Sequence, residues 1–318
     1  MAVSAARPAR ARRLRADHLT LARLVLLPLP VAMLYQPALE WRVAALASFI
    51  LLGLTDVWDG RLARRDGPTR FGELLDILAD RIFLVVLYGA LADLGVVSVW
   101  IFVVILAREF AVGAIRSLPT VTARSGLAGK LRTSIQMYGA GLLVVAWIAG
   151  RFGAEGWSRA ALGLLSAVIV AGTLATGAIY LWRARAQIAA GLRGRPGETL
   201  RVAAAAALAP LLWAPLVSAG PPLSLAVIAL VAAVLARSFL ESDLVPGRGR
   251  CAADADRERA QESRRLALLA AAGAATRLSA VDAGGAHVAL ALTIAALALL
   301  AWGIATRVHR ITLSPARG

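Results

Sequence analysis

The chain has 318 residues, 59% of them hydrophobic, and a mean hydropathy of +0.71. This composition excludes an ordinary soluble globular protein, and apolar runs of about 20 residues recur, each long enough to cross a bilayer as a helix. The net charge of +16 does not indicate nucleic-acid binding, because the arginines cluster in loops and at helix ends, where basic residues flank membrane spans and attract anionic lipids.

The first 18 residues form a basic segment that we expect on the cytoplasmic side. Its composition would also suit the start of a secretory signal. The apolar run that follows, at about 19–37, is longer than the apolar part of a signal, and no small-residue cleavage site comes after it. We therefore predict an uncleaved first membrane helix.

Six spans are predicted in the first part of the chain, separated by polar turns or basic loops. They lie at about 19–37, 41–63, 72–92, 96–118, 130–150 and 159–183. When the N-terminus is placed inside, the arginine-rich connections all fall on the cytoplasmic side, as the bias of Lys and Arg in membrane proteins requires. No alternating strand pattern appears, so the predicted fold class is an all-α polytopic membrane protein with a six-helix core at 19–185.

After the core, a polar stretch with Gly and Pro at 186–198 predicts a linker. Residues 199–318 are rich in Ala and Leu and poor in motifs, and we predict about three or four further membrane helices there. The expected spans lie at about 200–217, 221–239 and 286–306, and a short apolar segment at 265–280 either crosses the bilayer or lies in its interface. The role of this C-terminal extension stays open among a fused membrane module, an oligomerisation element and a regulatory appendage.

Four aspartates stand out among the apolar residues, and they form two pairs. Asp56 and Asp59 lie three residues apart at the end of the second predicted span, and Asp76 and Asp80 lie four apart at the start of the third. These spacings put the members of each pair on one helix face. Because ionisable groups at membrane depth are costly, the set is a candidate functional site. Carboxylate oxygens are the usual ligands of Mg²⁺, so two facing pairs predict a cage for divalent cations.

Two such ions about 4 Å apart can stabilise the attacking and the leaving oxygen of an in-line displacement at phosphorus. We predict two Mg²⁺ or Mn²⁺ ions in this role. One carboxylate would accept a proton from an attacking hydroxyl, and we choose Asp80 because it lies deepest in its helix. The alternative is a set of aspartates that only reach to water at the membrane surface. The spacings favour the metal site, as do the neighbouring residues Gly60, Ala63, Arg64 and Gly72.

The segment 56–80 resembles the motif of the CDP-alcohol phosphotransferase family, in which D-x2-D-G-x2-A-R is followed by G-x3-D-x3-D. The matching residues are Asp56, Asp59, Gly60, Ala63, Arg64, Gly72, Asp76 and Asp80. One departure is the loop between Arg64 and Gly72, whose seven residues make it shorter than is usual in the family.

The resemblance implies a six-helix core whose metal site opens to the cytoplasmic leaflet. The family transfers a phosphatidyl-type group from a CDP-linked donor to an alcohol and releases CMP. By the same resemblance Asp56, Asp59 and Asp76 would be metal ligands, and Asp80 would be a ligand or the base. The donor nucleotide and its phosphates would meet the remaining motif residues, which are Gly60, Ala63, Arg64 and Gly72. Arginine and metal ions together offset the charge of a pyrophosphate.

A second group of charged residues lies in the fourth and fifth predicted spans. Arg108 and Glu109 lie well inside the fourth span, and Arg116 is seven residues after Glu109, so those two share a face. We expect Glu109 to pair with one of the arginines, which lowers the cost of burying both. The fifth span opens with cations and hydrogen-bond donors, which are Lys130, Arg132, Thr133 and Gln136. Together these residues predict a cradle for a second phosphate, and the alternative is ordinary flanking charge.

Both stretches resemble bacterial phosphatidylglycerophosphate synthases, a branch of the same family, and the resemblance covers roughly residues 16–185. The matching residues are Ala107, Arg108, Glu109, Phe110 and Arg116, then Gly129, Lys130, Thr133 and Gln136, and near the start of the chain Thr20, Arg23 and Pro28. Departures are Arg132, where lysine is usual, and Ile77 and Arg81, where the branch often has proline and lysine. The resemblance implies glycerol 3-phosphate as acceptor, with its phosphate held by some of Arg108, Arg116, Lys130 and Arg132.

The predicted function is therefore transfer of a phosphatidyl group from CDP-diacylglycerol to glycerol 3-phosphate, in a multi-pass enzyme of the inner or plasma membrane whose active site faces the cytoplasm. The predicted partners are these substrates, membrane lipids and a second copy of the chain, with no nucleic acid. One alternative is the same chemistry with another acceptor, either phosphatidylglycerol for cardiolipin synthesis or inositol phosphate. The other is a non-catalytic membrane scaffold or transporter.

Overall fold

The computed structural model describes residues 20, 22–66, 70–116, 118, 120–121, 126–197, 199–200, 202–203, 206 and 224–233. The side chains of residues 56–66, 70–74, 77 and 127–128 lie outside this description. Every regular element of the described residues is a helix, so the predicted all-α class is confirmed there. The basic N-terminal segment and the predicted features beyond residue 233 lie outside the described residues.

The helices are labelled in chain order. They are α1 (Ala22–Leu34), α2 (Leu39–Asp66), α3 (Arg70–Asp93), α4 (Val99–Arg116), α5 (Gly126–Ala149), α6 (Glu155–Leu192) and α7 (Ser224–Ala233). A 3₁₀ turn, Gly150–Phe152, connects α5 to α6. Each of the six predicted core spans coincides with one of the helices α1 to α6. Helix α6 runs further than its predicted span, so the first residues of the predicted linker are helical.

Glycine and proline mark the connections between helices. Pro28 lies within α1 and begins its second stretch, Pro28–Leu34, after a turn at Leu27. Gly95 after α3 has a φ of 68° and Gly153 before α6 has a φ of 83°, a left-handed conformation that glycine adopts without steric penalty. These short connections keep α3 beside α4 and α5 beside α6.

Within the described residues, two stretches are long and apolar enough to cross a membrane, judged by length and composition: Gly129–Phe152 and Glu155–Leu192. Only 22% of the apolar window of the second stretch is buried inside the molecule, and large side chains such as Leu164 and Trp182 are exposed. Extended apolar surface of this kind suits contact with lipid or with another protein. Membrane crossing by the other predicted spans stays a prediction.

The core lies around α3 and α4, against which the other helices pack. Its largest fully buried side chains include Tyr88, Phe102 and Ile228. Phe49 of α2 meets Phe83 of α3 edge to face, with ring centroids 5.5 Å apart, an arrangement that the charge distribution of aromatic rings favours. Helix α3 is thus held on several sides, which matters because it carries Asp76 and Asp80.

Helix α7, from the predicted C-terminal extension, packs closely on α3. A Cβ placed on Gly89 would come within 2.7 Å of Cγ1 of Ile228, so the absence of a side chain on Gly89 permits this approach. At the end of α3, Oδ2 of Asp93 accepts one hydrogen bond of 2.6 Å from Ser224 Oγ and another of 2.6 Å from Tyr35 Oη. This part of the extension therefore belongs to the same core as the preceding helices.

Gly89→Leu should destabilise the protein, because the new side chain has to displace Ile228. Overpacking of a tight contact costs about 1–3 kcal/mol, so we expect thermal unfolding in detergent at a lower temperature. Gly141→Leu is the matched control, since nothing lies within 4 Å of a Cβ there. If both variants unfold at the same temperature, or if Ile228→Ala does not restore part of the loss caused by Gly89→Leu, the docking of α7 is wrong.

Candidate active site

The candidate site residues lie on the first half of α3 and on the helices beside it. Asp56 and Asp59 are on α2, and Asp76 and Asp80 are on α3. Helix α2 ends at Asp66 and α3 begins at Arg70, so the two aspartate pairs lie on consecutive helices joined by a short connection, as predicted. Six motif side chains lie outside the description, and their roles stay predictions: Asp56, Asp59, Gly60, Ala63, Arg64 and Gly72.

The two described carboxylates converge on one guanidinium group. Arg23 of α1 places Nη1 3.9 Å from Oδ1 of Asp76 and 3.9 Å from Oδ1 of Asp80. The Arg23 side chain is only 4% exposed, whereas that of Asp76 is 52% exposed and that of Asp80 is 27% exposed. The arginine thus approaches the pair from the interior, and the carboxylates keep an open side.

This geometry fits half of the predicted metal cage. Asp76 and Asp80 are one helical turn apart, and each directs one oxygen toward the guanidinium of Arg23. Carboxylate oxygens are also the ligands that Mg²⁺ prefers. Among the described side chains, no three His, Cys, Asp or Glu residues come together. The predicted cage needs the carboxylates of Asp56 and Asp59 as well, and these lie outside the described side chains.

The second cluster is centred on Glu109 of α4, whose side chain is 3% exposed. Its Oε1 accepts a hydrogen bond of 2.8 Å from Arg108 Nη1 and another from Arg132 Nη1 of α5. Its Oε2 lies 3.7 Å from Nε of Arg81 on α3. The expected ion pair of Glu109 is therefore present, and it is larger than expected, because arginines from three helices meet one buried carboxylate. We refer to these four side chains as the Glu109 cluster.

Arg81, which stands where lysine is usual, was not predicted to belong to this cluster. The position of Arg81 on α3 nevertheless indicates that its side chain is buried. Arg81 is three residues before Leu84 and seven before Tyr88, both of which are buried, so it lies on the inward face of the helix. Arg81 is itself buried and requires an anion on a neighbouring helix.

Two other predicted acceptor residues lie in different surroundings. The guanidinium of Arg116 stands over the ring of Tyr180 on α6, 5.7 Å from its centroid, in a cation–π contact. Lys130, in the first turns of α5, is exposed. The structure thus brings Arg108 and Arg132 together at Glu109, whereas Arg116 lies over Tyr180 and Lys130 is exposed on α5.

Helix α6 closes the cluster on its other side. A Cβ on Gly177 would lie 3.4 Å from Cγ of Arg108, so the stem of Arg108 runs along α6 at a position without a side chain. One turn beyond Arg132, the fully buried Gln136 donates a hydrogen bond of 3.0 Å to Thr173 Oγ1. Through these contacts α4 and α5, which carry Arg108 and Arg132, pack against α6.

Comparison with known proteins shows which family the chain resembles in the region of the aspartate pairs and the Glu109 cluster. The sequence model described as CDP-alcohol phosphatidyltransferase matches residues 13–179, which is more than half of the chain. The CDP-diacylglycerol–glycerol-3-phosphate 3-phosphatidyltransferase of Escherichia coli (strain K12) is 34% identical over 142 residues, covering 42% of this chain and 75% of the relative. Proteins of the same name from Escherichia coli O157:H7 and Shigella sonnei (strain Ss046) match to the same extent. No solved structure matches the chain.

The matched range contains both aspartate pairs and the whole Glu109 cluster. It favours an enzyme over the alternative of a membrane scaffold or transporter, and it agrees with the two apolar helices long enough to span a bilayer. The chain belongs to the CDP-alcohol phosphatidyltransferase family and is a transferase of phospholipid biosynthesis.

Proposed function

We propose that the protein transfers the phosphatidyl group of CDP-diacylglycerol to glycerol 3-phosphate, forming phosphatidylglycerophosphate and CMP. The observation that carries the proposal is the excess of buried positive charge around Glu109, next to a helix that bears two converging carboxylates. In this reaction a hydroxyl oxygen of the acceptor forms a bond to the phosphorus attached to the lipid. The bond between that phosphorus and the oxygen of CMP breaks, and the hydroxyl proton passes to a protein carboxylate.

The Glu109 cluster supports an acceptor that carries a phosphate monoester. Arg108 and Arg132 both pair with the single carboxylate of Glu109, so positive charge exceeds negative charge among these three buried side chains, and Arg81 approaches the same carboxylate. Unbalanced charge is costly in the interior of a protein. A phosphate monoester carries about 1.5 to 2 negative charges at neutral pH, and arginine binds it through paired hydrogen bonds. Glycerol 3-phosphate supplies this group on a small alcohol.

The other acceptors fit the cluster differently. Phosphatidylglycerol, the acceptor for cardiolipin synthesis, has a phosphodiester, which carries a single negative charge and offers arginine fewer free oxygens for paired hydrogen bonds than a monoester does. Inositol phosphate has a monoester and would balance the charge equally well. Glycerol 3-phosphate is preferred because the similar curated proteins carry it in their names, and inositol phosphate is the second candidate.

The carboxylates of α2 and α3 would serve the donor. Asp56, Asp59 and Asp76 are suited to hold Mg²⁺ or Mn²⁺, which when bound would neutralise the charge of the donor diphosphate. Asp80 is less exposed than Asp76 and directly precedes Arg81 in the chain. We assign Asp80, which lies deeper along α3, as the proton acceptor. It is one helical turn from the proposed ligand Asp76 and is therefore also able to contact the metal. The donor nucleotide and phosphates would meet the motif residues Gly60, Ala63, Arg64 and Gly72.

The proposed function also requires a particular orientation of the protein in the membrane. The arginine-rich connections at 61–70, 116–132 and 183–195 fall on one side of the predicted membrane, and the bias of basic residues places that side in the cytoplasm. The aspartate pairs lie at that side, where a soluble acceptor and a lipid donor can meet at the bilayer surface. A multi-pass protein of the cell membrane is the arrangement we propose, and a homodimer stays a prediction.

Purified protein given CDP-diacylglycerol and Mg²⁺ should release CMP when glycerol 3-phosphate is added. Because the arginines at Glu109 favour a phosphate monoester, we predict little release with phosphatidylglycerol. Release should be measured for glycerol 3-phosphate, inositol phosphate and phosphatidylglycerol in parallel, with glycerol as the control that lacks the phosphate. Release with inositol phosphate alone would replace the proposed acceptor, and no release with any acceptor would overturn the reaction.

Asp59→Ala and Asp76→Ala should each abolish CMP release, because each removes a proposed metal ligand. The loss should appear in kcat and should not be recovered by raising the concentration of either substrate. Glu155→Ala, which removes an exposed carboxylate at the start of α6, is the control and should retain turnover. Near-normal turnover in Asp59→Ala would show that the metal assignment is wrong.

Arg132→Met should raise the KM for glycerol 3-phosphate by about ten-fold or more, because a charge-assisted hydrogen bond to phosphate is lost. Lys130→Met should have a smaller effect in the same direction, since the exposed ammonium contributes mainly through solvent-screened attraction. Steady-state kinetics at saturating CDP-diacylglycerol separate the two. Equal KM values for the two variants would contradict the placement of the acceptor phosphate at the Glu109 cluster.

A further inference from the structure

Arg23 is a buried cation that faces the carboxylates proposed to hold the metal. It comes from α1, 53 residues before Asp76 in the chain, and its side chain is almost fully buried. Its Nη1 atom is the same distance, 3.9 Å, from one oxygen of Asp76 and one oxygen of Asp80. A guanidinium in this position counters both carboxylates at once.

The two carboxylates need such a countercharge. Asp76 and Asp80 are four residues apart on α3, where like charges on a helix repel each other. Arg23 lowers this repulsion and holds the two side chains so that one oxygen of each points inward. It therefore stabilises the arrangement in which the pair could accept a divalent cation.

The positive charge of Arg23 also repels a divalent cation that binds to Asp76 and Asp80. Bonds from Mg²⁺ or Mn²⁺ to carboxylate oxygens are only about 2 Å long, so an ion held by this pair has the Arg23 guanidinium close by. Both are positive, and Arg23, being buried, is weakly screened by solvent. The exposed side of Asp76 leaves a way in for the ion, so the opposition is electrostatic and does not block its path.

We propose that Arg23 is a positioning residue that acts as an internal countercation for Asp76 and Asp80 and weakens metal binding until the diphosphate of the donor is present. The diphosphate brings the negative charge that lets a divalent cation and Arg23 occupy neighbouring positions. Metal and nucleotide would therefore bind cooperatively. The dependence on a nucleoside diphosphate rests on the proposed function, whereas the weakening of metal binding by Arg23 does not.

Equilibrium binding of Mn²⁺ to the full-length protein in detergent, followed by electron paramagnetic resonance of the free ion, tests this role without turnover. Without nucleotide, Arg23→Met should bind Mn²⁺ at least about ten-fold more tightly than the unmodified protein, because the repulsion is gone. Arg23→Lys keeps the charge and should stay within about three-fold. Arg42→Met removes another partly buried arginine, one stacked on Trp147, and should change nothing.

Addition of CDP should tighten Mn²⁺ binding in the unmodified protein and do so much less in Arg23→Met. If Arg23→Met does not fold, Arg23→Gln removes the same charge with a polar side chain and replaces it in the comparison. Unchanged or weaker Mn²⁺ binding in the folded neutral variant overturns the proposal. Tighter binding in that variant, together with no CMP release by the unmodified protein, would leave the role of Arg23 standing and remove the proposed reaction.

Discussion

The proposed active site depends on one buried carboxylate, Glu109, that holds arginines from three helices. Arg108 and Arg132 both donate hydrogen bonds to it, and their burial depends on it, because loss of one partner from a buried ion pair typically costs about 3–5 kcal/mol. The carboxylate therefore does two things. It fixes α3, α4 and α5 relative to one another, and it presents guanidinium groups in an arrangement that carries more positive than negative charge. The second property is what a binding site for a phosphate requires.

Helix α3 connects this cluster with the rest of the molecule. Its first half carries Asp76, Asp80 and Arg81, so the proposed metal site and the proposed phosphate site share one helix. Its second half packs on α7 through Gly89 and ends at Asp93, which accepts hydrogen bonds from two other parts of the chain. A segment from beyond the family's matched range thus supports the helix on which the chemistry depends. This contact gives the described part of the C-terminal extension a structural role, without excluding others.

Much of this arrangement could be predicted from the sequence, because local patterns determine it. Apolar run lengths located the core helices, and the spacing of Asp76 and Asp80 gave their common face. Contacts between residues distant in the chain could not be predicted in the same way. Nothing in the local pattern indicates that Arg23 would meet Asp76, or that Ile228 would pack on Gly89. Lys130 and Arg132 also looked equivalent, since the sequence gives their charge and not their depth, but Arg132 is buried at Glu109 and Lys130 is exposed.

The aspartate pair of α3 and the Glu109 cluster have opposite charges but a similar arrangement. Among the described side chains, Asp76 and Asp80 face the buried cation Arg23, and the arginines of the other cluster face the buried anion Glu109. In each case the opposite charge keeps the like charges together, and the proposed ligand balances the charge that remains. A fully balanced site would be stable when empty but would attract its ligand weakly, whereas a site without a countercharge would drive its own side chains apart. Partial compensation satisfies both requirements, and it explains why costly buried charges of both signs occur side by side in an apolar protein.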